Sequence, residues 1–173
     1  MKDLTLTLIG PDKTGIVAAL AQIASAHGGN WLDSRMMQLG GTFSGIVRIS
    51  LPESNGEEFA AEAAEFLEEN GFQHSLVPTS PGNGKPSGSR VDLTLSGQDH
   101  PGIVHGIFEI FRQAGINVEE LSTGLRAAPW SGTPVFEARA RLFAPDSVSL
   151  DSLQGNLEAI ANDLLVEVEF SEA

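Results

Sequence analysis

The chain has 173 residues, no cysteine, and a formal net charge of −13 that comes from 23 acidic and 10 basic residues. The lack of cysteine excludes a disulfide framework and any thiolate metal site or nucleophile. The basic residues are scattered and form no Lys/Arg cluster, which argues against direct binding to nucleic acid. No apolar run has membrane-spanning length, and the first residues lack the apolar block of a signal peptide. We therefore expect a globular cytoplasmic protein.

The first predicted elements are a strand and a helix joined by a glycine-containing turn. In "DLTLTLI" the residues Leu4, Leu6 and Leu8 alternate with polar residues, which is typical of a half-buried strand. After the turn "GPDKTG", apolar residues follow helical spacing from Ile16 onward. Gly28 suits the left-handed position that ends a helix.

The next predicted elements are a hairpin, a second helix and a short strand. The stretches "NWLDSRMMQL" and "TFSGIVRISL" are strand-like and flank "GG", a hairpin signal. "SNGEEFAAEAAEFLEENG" predicts a helix whose glutamates form the solvated face and whose apolar stripe is Phe59, Ala63, Phe66 and Leu67. "FQHSLVP" then closes a strand–helix–strand–strand–helix–strand unit.

The sequence repeats this unit. With an offset of 87 residues, "LIGPDKTGIV" aligns with "LSGQDHPGIV", and the register continues as far as Asn30 and Asn117. With an offset of 93, Phe43 aligns with Phe136, because the second copy carries six additional residues in "AAPWSGTP". Such an internal duplication determines the architecture. The second helix of the second copy has the predicted stripe Leu150, Leu153, Leu157, Ile160 and Leu164.

Proline, glycine and serine dominate "PTSPGNGKPSGSR" between the two copies, which predicts a flexible linker. We therefore predict domains at residues 1–78 and 90–173, with the linker at 79–89. The element order is that of the ferredoxin-like βαββαβ fold, so the predicted class is α+β. Right-handed crossovers place both helices on one face of a four-stranded antiparallel sheet. Pairing of the copies, or of two chains in a homodimer, would cover the other face.

Both copies place an unusual turn between the first strand and the first helix. Asp12 occupies the expected N-cap position, Gly10 would allow a sharp exit from the strand, and Gly15 would let another group approach the backbone. The free N–H groups of a helix start suit a ligand carboxylate. Asn30, which offers a donor and an acceptor, opens the second strand, whose start we expect beside the same turn. The second copy has Gly97, Asp99, Gly102 and Asn117 at these positions.

Two interpretations of these turns remain open from the residues alone. The groups could together hold a free amino acid, with the helix amides toward its carboxylate and the aspartates toward its ammonium. An aspartate N-cap followed by glycine is also a common turn that needs no ligand, and each asparagine could simply satisfy a turn.

The motifs "GPDKTGIV" with "GGNW", and "GQDHPGIV" with "GINV", resemble those of ACT domains, the small ligand-sensing modules of amino-acid metabolism. In that family the first-turn motif and the asparagine at the start of the second strand contact a bound amino acid, typically at a domain interface. The ligand-binding residues that the resemblance implies are Asp12, Gly15, Ile16, Asn30, Asp99, Gly102, Ile103 and Asn117.

The tandem layout resembles the glycine cleavage system transcriptional repressor family, which is understood to act on an activator protein rather than on DNA. The resemblance implies a regulator that binds a small amino acid, with glycine as a candidate. It also implies a partner transcriptional activator of the glycine cleavage system. The alternatives are a ligand-independent interaction module, or a regulatory subunit of an enzyme of amino-acid or one-carbon metabolism.

No motif in the sequence predicts an active site. The four histidines lack metal-ligand spacing, and "GTFSG" places its serine one position late for a nucleophile elbow. We therefore predict a protein that is not an enzyme, with no catalytic residue, no metal and no cofactor. Trp130, in the inserted "AAPWSGTP", could anchor a partner protein or fold back over the core.

Overall fold

The structure, a computed structural model, describes residues 1–79, 87–127 and 132–172. The chain divides into two compact units, Met1–Asn83 and Gly84–Ala173, hereafter the first and the second unit. Residues 80–86 of the predicted linker and Trp130 lie outside the described residues. Within the described ranges, no helix is long and apolar enough to span a membrane.

The first unit is a four-stranded antiparallel sheet with two α-helices. Its elements are β1 (Lys2–Pro11), α1 (Ile16–Ala26), β2 (Asn30–Leu39), β3 (Thr42–Leu51), a 3₁₀ turn (Glu53–Asn55), α2 (Gly56–Glu69) and β4 (Gln73–Pro78). The strand order is β2-β3-β1-β4, and all three neighbouring pairs are antiparallel. The predicted hairpin is confirmed, because Gly40 and Gly41, at φ 58° and 81°, join β2 to β3.

The second unit repeats this architecture. Its elements are β5 (Gly88–Gln98), α3 (Ile103–Gln113), β6 (Asn117–Ala127), β7 (Pro134–Pro145), α4 (Leu150–Asp163) and β8 (Val166–Glu172). The strand order is β6-β7-β5-β8. Gly88 pairs with Pro145, so the last two residues of the predicted linker belong to a strand. The predicted α+β fold with two ferredoxin-like units is confirmed.

Each unit has its own hydrophobic core between its sheet and its helices. The predicted leucine alternation of β1 is confirmed, because all three leucines are buried. The stripe of α2 is buried at Phe59, Ala63 and Leu67, and that of α4 at Leu153 and Leu157, while the remaining stripe residues are half-buried. Fully burying a Leu or Phe side chain contributes about 1.5–3 kcal/mol. Exposed ion pairs contribute only about 0–1 kcal/mol each. Burial of the apolar stripes therefore contributes more to holding the helices on the sheets than surface ion pairs do.

Three of the four α-helices end at a glycine in the left-handed conformation. Gly28, Gly71 and Gly115 follow α1, α2 and α3 at φ 69°, 81° and 72°, which confirms the predicted end of the first helix at Gly28. The fourth helix is followed by Leu165 at φ 54°. This is a conformation that a residue with a Cβ adopts at a cost in free energy.

Candidate functional site

The two predicted turns form matching corners, one in each unit. The first corner, residues 12–15, connects β1 to α1, and the second corner, residues 99–102, connects β5 to α3. Gly15 precedes α1 at φ 92°, and Gly102 precedes α3 at φ 102°. No described atom lies within 4 Å of the place where a Cβ would stand on either glycine. Glycine is therefore required by the backbone conformation, and the space above it is open.

Both corners leave the first helical amides without a side-chain cap. The first hydrogen bonds of the two helices run from Ala19 N–H to Gly15 C=O at 3.0 Å and from Gly106 N–H to Gly102 C=O at 2.8 Å. The N–H groups of residues 16–18 and 103–105 precede these bonds and have no acceptor within the helix. In contrast, the Ser149 hydroxyl caps α4 by accepting from an N–H group. The positive end of each helix dipole adds to the attraction of these free amides for an anion.

The prediction that Asp12 and Asp99 are N-caps is wrong. The N-cap residues are Gly15 and Gly102, three positions later, and neither helix has a side-chain cap. The difference arises because each turn continues through a left-handed glycine before the helix starts. Both carboxylates are exposed, and among the described residues neither accepts a hydrogen bond. They are therefore free to interact with a cationic group near the corner.

The predicted role of Gly10 and Gly97 as strand exits is also wrong. Both lie within their strands, which continue to Pro11 and Gln98. A Cβ on Gly10 would lie 2.6 Å from the ring of Phe72 and 3.0 Å from its Cα. On Gly97 it would lie 2.6 Å from a methyl group of Val166, at the start of β8. These glycines allow the chain entering β4 and β8 to pack closely beside each corner.

Asn30 lies far from the first corner, so the prediction that the two adjoin within one unit is wrong. Asn30 pairs with Ser50, and Ser50 pairs with Asp3 near the start of β1. The corner follows Pro11, eight residues further along, and at about 3.3 Å per residue this separation is ~26 Å. The physical reason is that α1 returns the chain to the end of the sheet where β1 began.

The second unit shows the same separation. Asn117 pairs with Phe143, which pairs with Arg90 near the start of β5, whereas the second corner follows Gln98 at the other end of that strand. No single unit therefore brings its asparagine and its corner to one small ligand.

The remaining predicted ligand residues contribute backbone rather than side chain. Ile16 and Ile103 are 4% and 2% exposed and belong to the two cores. Their amide N–H groups nevertheless lie in the first turns of α1 and α3. A ligand at a corner could therefore contact these residues through the main chain.

Sequence reasoning missed a contact that each corner makes with the end of the second helix of its unit. Lys13 Nζ donates to the Asn70 carbonyl at 2.9 Å, and His100 Nε2 lies 2.7 Å from the Leu164 carbonyl. Asn70 and Leu164 are the C-cap residues of α2 and α4. The sequence contains part of this signal, because an offset of 87 aligns Lys13 with His100. It does not identify the acceptors, because tertiary structure determines which carbonyls lie beside these side chains.

His100 makes a second contact in its corner. Its Nδ1 lies 3.0 Å from the Pro101 carbonyl. The hydrogen bonds to the Leu164 and Pro101 carbonyls raise the pKa of His100 above its ordinary value, partial burial opposes this rise, and the Asp99 charge adds to it. The two carbonyl oxygens beside His100 therefore stabilise the charged form of this histidine relative to that of a free histidine.

The described residues form shallow grooves away from the corners. One of about 540 Å³ lies between α3 and α4, one of about 370 Å³ between α1 and α2, and one of about 680 Å³ on the helix-free sheet face of the second unit. None of these three grooves is lined by a corner residue. A corner taken alone thus offers free amides and open space but no enclosure.

Comparison with known proteins gives a family match for the first unit. Residues 2–76 match the model of the ACT domain family. No curated protein is significantly similar to the chain in sequence.

Two solved structures match nearly the whole chain. An unknown protein from Galdieria sulphuraria is 26% identical, with a TM-score of 0.88 over 99% of this chain and 98% of that one. A protein provisionally described as a glycine cleavage system transcriptional repressor is 21% identical, with a TM-score of 0.70 over 99% and 97%. At the latter identity, the likeness shows a shared fold.

Proposed function

Because residues 2–76 form an ACT domain and the second unit repeats its topology, we propose that this chain is a non-enzymatic regulator that binds a small amino acid. The observation that carries the proposal is the duplicated corner. Each copy has a left-handed glycine, uncapped helix amides and open space at the same place. A turn with only a structural role would not require open space beside uncapped helix amides at the same place in both copies.

The chemistry of each corner fits a zwitterion. The N–H groups of residues 16–18 or 103–105 bind the carboxylate, assisted by the helix dipole. The exposed carboxylate of Asp12 or Asp99 attracts the ammonium group. Because these charges have opposite signs and lie on either side of the corner glycine, they orient an amino acid rather than a simple anion.

The proposed binding site lies at an interface between ACT-type units. A ligand that contacts both a corner and an asparagine needs two units, since Asn30 and Asn117 lie at the far end of their own sheets. The lack of enclosure at a single corner supports the same arrangement. The proposal therefore includes a homodimer, in which Asn30 or Asn117 of one unit completes the corner of another.

Glycine is the first ligand to test, and a transcriptional activator of the glycine cleavage system is the proposed partner. The choice rests on the full-length structural likeness to the provisionally described repressor. The net charge of −13 opposes contact with phosphate backbones, so we propose that regulation acts through a protein in the cytoplasm. Trp130 is a proposed contact for that partner.

The binding proposal is tested by calorimetry of the purified chain with glycine, serine and the other common amino acids. We expect saturable heat with at least one of them, and loss of that heat in Asp12→Ala/Asp99→Ala, which removes both ammonium partners. Glu65→Ala is the control, because this exposed carboxylate lies within α2 and belongs neither to a corner nor to the start of β2 or β6. Absence of saturable heat with every amino acid would leave the ligand-independent interaction module.

A further inference from the structure

Two basic side chains that the proposed binding site does not use, Lys13 and His100, connect each corner to the second helix of its unit. We propose that Lys13 and His100 are positioning residues that hold the corners against the ends of α2 and α4, and that His100 makes the second corner, unlike the first, sensitive to pH near neutrality. The proposal deepens the function proposed above, because it concerns regulation of the same site.

Lys13 and His100 make the same kind of contact in the two units. Lys13 and His100 occupy equivalent positions of the repeat, and each contacts the carbonyl of the residue that ends the second helix of its unit, at 2.9 Å and 2.7 Å. Carbonyls at a helix end lack a helical donor, and the negative end of the helix dipole favours a cation. The same contact is therefore made twice with different chemical groups.

The hydrogen bonds of His100 depend on how many protons its ring carries. Both of its ring nitrogens face carbonyl oxygens, those of Leu164 and Pro101, and a carbonyl can only accept a hydrogen bond. A neutral imidazole has a single N–H group and satisfies one of these carbonyls, whereas the imidazolium satisfies both. Deprotonation therefore removes one of the two bonds that fix the second corner. An ammonium group such as that of Lys13 has three N–H donors and no acceptor, so its carbonyl contact does not depend on which of two ring nitrogens carries a proton.

Charged groups near His100 also affect its protonation. The ionisable side chains nearest along the chain to His100 and to its Leu164 partner are Asp99 in the corner, His105 in α3, Asp163 in α4 and Glu167 in β8. Of these four, Asp99 is the one whose charge raises the pKa of His100. The positive charge is thus favoured by the carbonyls and by the candidate ammonium-binding residue beside it.

The sign of the pH effect follows from the direction of the shift. The pKa of His100 in the folded chain lies above its ordinary value, which is about 6.5 in an unfolded chain. Both hydrogen bonds are therefore present below that value, and one of them is lost as the pH rises through the raised pKa. A free amino acid remains a zwitterion across this range, so changes in its binding would report on the protein.

The test is an NMR pH titration of the full-length, isotope-labelled chain without ligand. We expect the His100 ring to titrate above the ordinary histidine value, with the amides of Asp99, His100, Gly102, Ile103 and Leu165 moving at the same midpoint. His100→Lys should abolish this movement. Lys13→His should create a matching titration in the amides of residues 12–16 and of Gly71. His105→Gln, a nearby histidine without these carbonyl contacts, should leave the His100 titration in place.

A His100 midpoint at or below the ordinary value, or corner amides that do not follow the ring, would overturn the proposal. If the amide signals of the first corner do not titrate in Lys13→His, the shared role of Lys13 and His100 is overturned. Titrations with glycine and the other common amino acids then distinguish a failure of this proposal from a failure of the proposed function. Coupled titration of His100 and the corner amides without binding of any amino acid refutes the proposed function alone, while amino-acid binding that is unaffected by pH and by His100→Lys refutes pH control of the site.

Discussion

Gly102 occupies a position of the second corner that is restricted by its backbone conformation and not by neighbouring atoms. Its φ of 102° belongs to the left-handed region, yet no described atom would contact an added Cβ. A substitution with alanine therefore changes the backbone energy without creating a steric clash. The same holds for Gly15 in the first unit.

We predict that Gly102→Ala destabilises the second unit by about 1–2 kcal/mol, the cost of placing a residue with a Cβ in the left-handed region. The matched control is Gly155→Ala in the middle of α4, where φ is not positive and a Cβ also meets open space. It should stabilise the unit by about 0.5–1 kcal/mol. Native-state hydrogen exchange gives the free energy of unfolding of the second unit. Two shifts of the same sign would contradict this account of Gly102.

At the scale of elements, the end of α4 differs from the ends of the other three helices. Leu165 takes the left-handed position that glycine occupies after α1, α2 and α3, and its side chain is 76% exposed. Replacing it removes little buried apolar surface. The residue also directly follows Leu164, whose carbonyl contacts His100.

We predict that Leu165→Gly stabilises the second unit by about 0.5–1 kcal/mol, because glycine adopts the left-handed conformation without the Cβ penalty. Leu165→Ala keeps a Cβ and should give no such gain. Chemical denaturation followed by circular dichroism compares the two variants. A loss of stability in Leu165→Gly, or an equal gain in Leu165→Ala, would show that the leucine side chain contributes more than its exposure implies.

The elements themselves were accessible from sequence because their signals are local. Alternation in β1 and the stripes of α2 and α4 predict which faces are buried, and Gly28 predicts a helix end. The site was less accessible because it depends on register and on torsion angles. The sequence does not reveal that Gly15 rather than Asp12 precedes α1, or that Asn30 pairs at the level of Asp3. It also cannot show that His100 reaches Leu164, 64 residues away.

At the scale of the whole molecule, the duplication produces two units with separate cores and equivalent corners. The corners are not identical, since one is held by a lysine and the other by a histidine. Under the proposals above, this difference would give the two corners different responses to pH. The net charge of −13 opposes contact with phosphate backbones.

The most direct test of the central claim is an NMR titration of glycine into the labelled chain, observed at the backbone amides. We expect saturable shifts at residues 16–18 and 103–105, where the free N–H groups would bind the carboxylate, and loss of these shifts in Asp12→Ala/Asp99→Ala. Amides at these positions that do not respond, or shifts confined to the groove between α3 and α4, would contradict it.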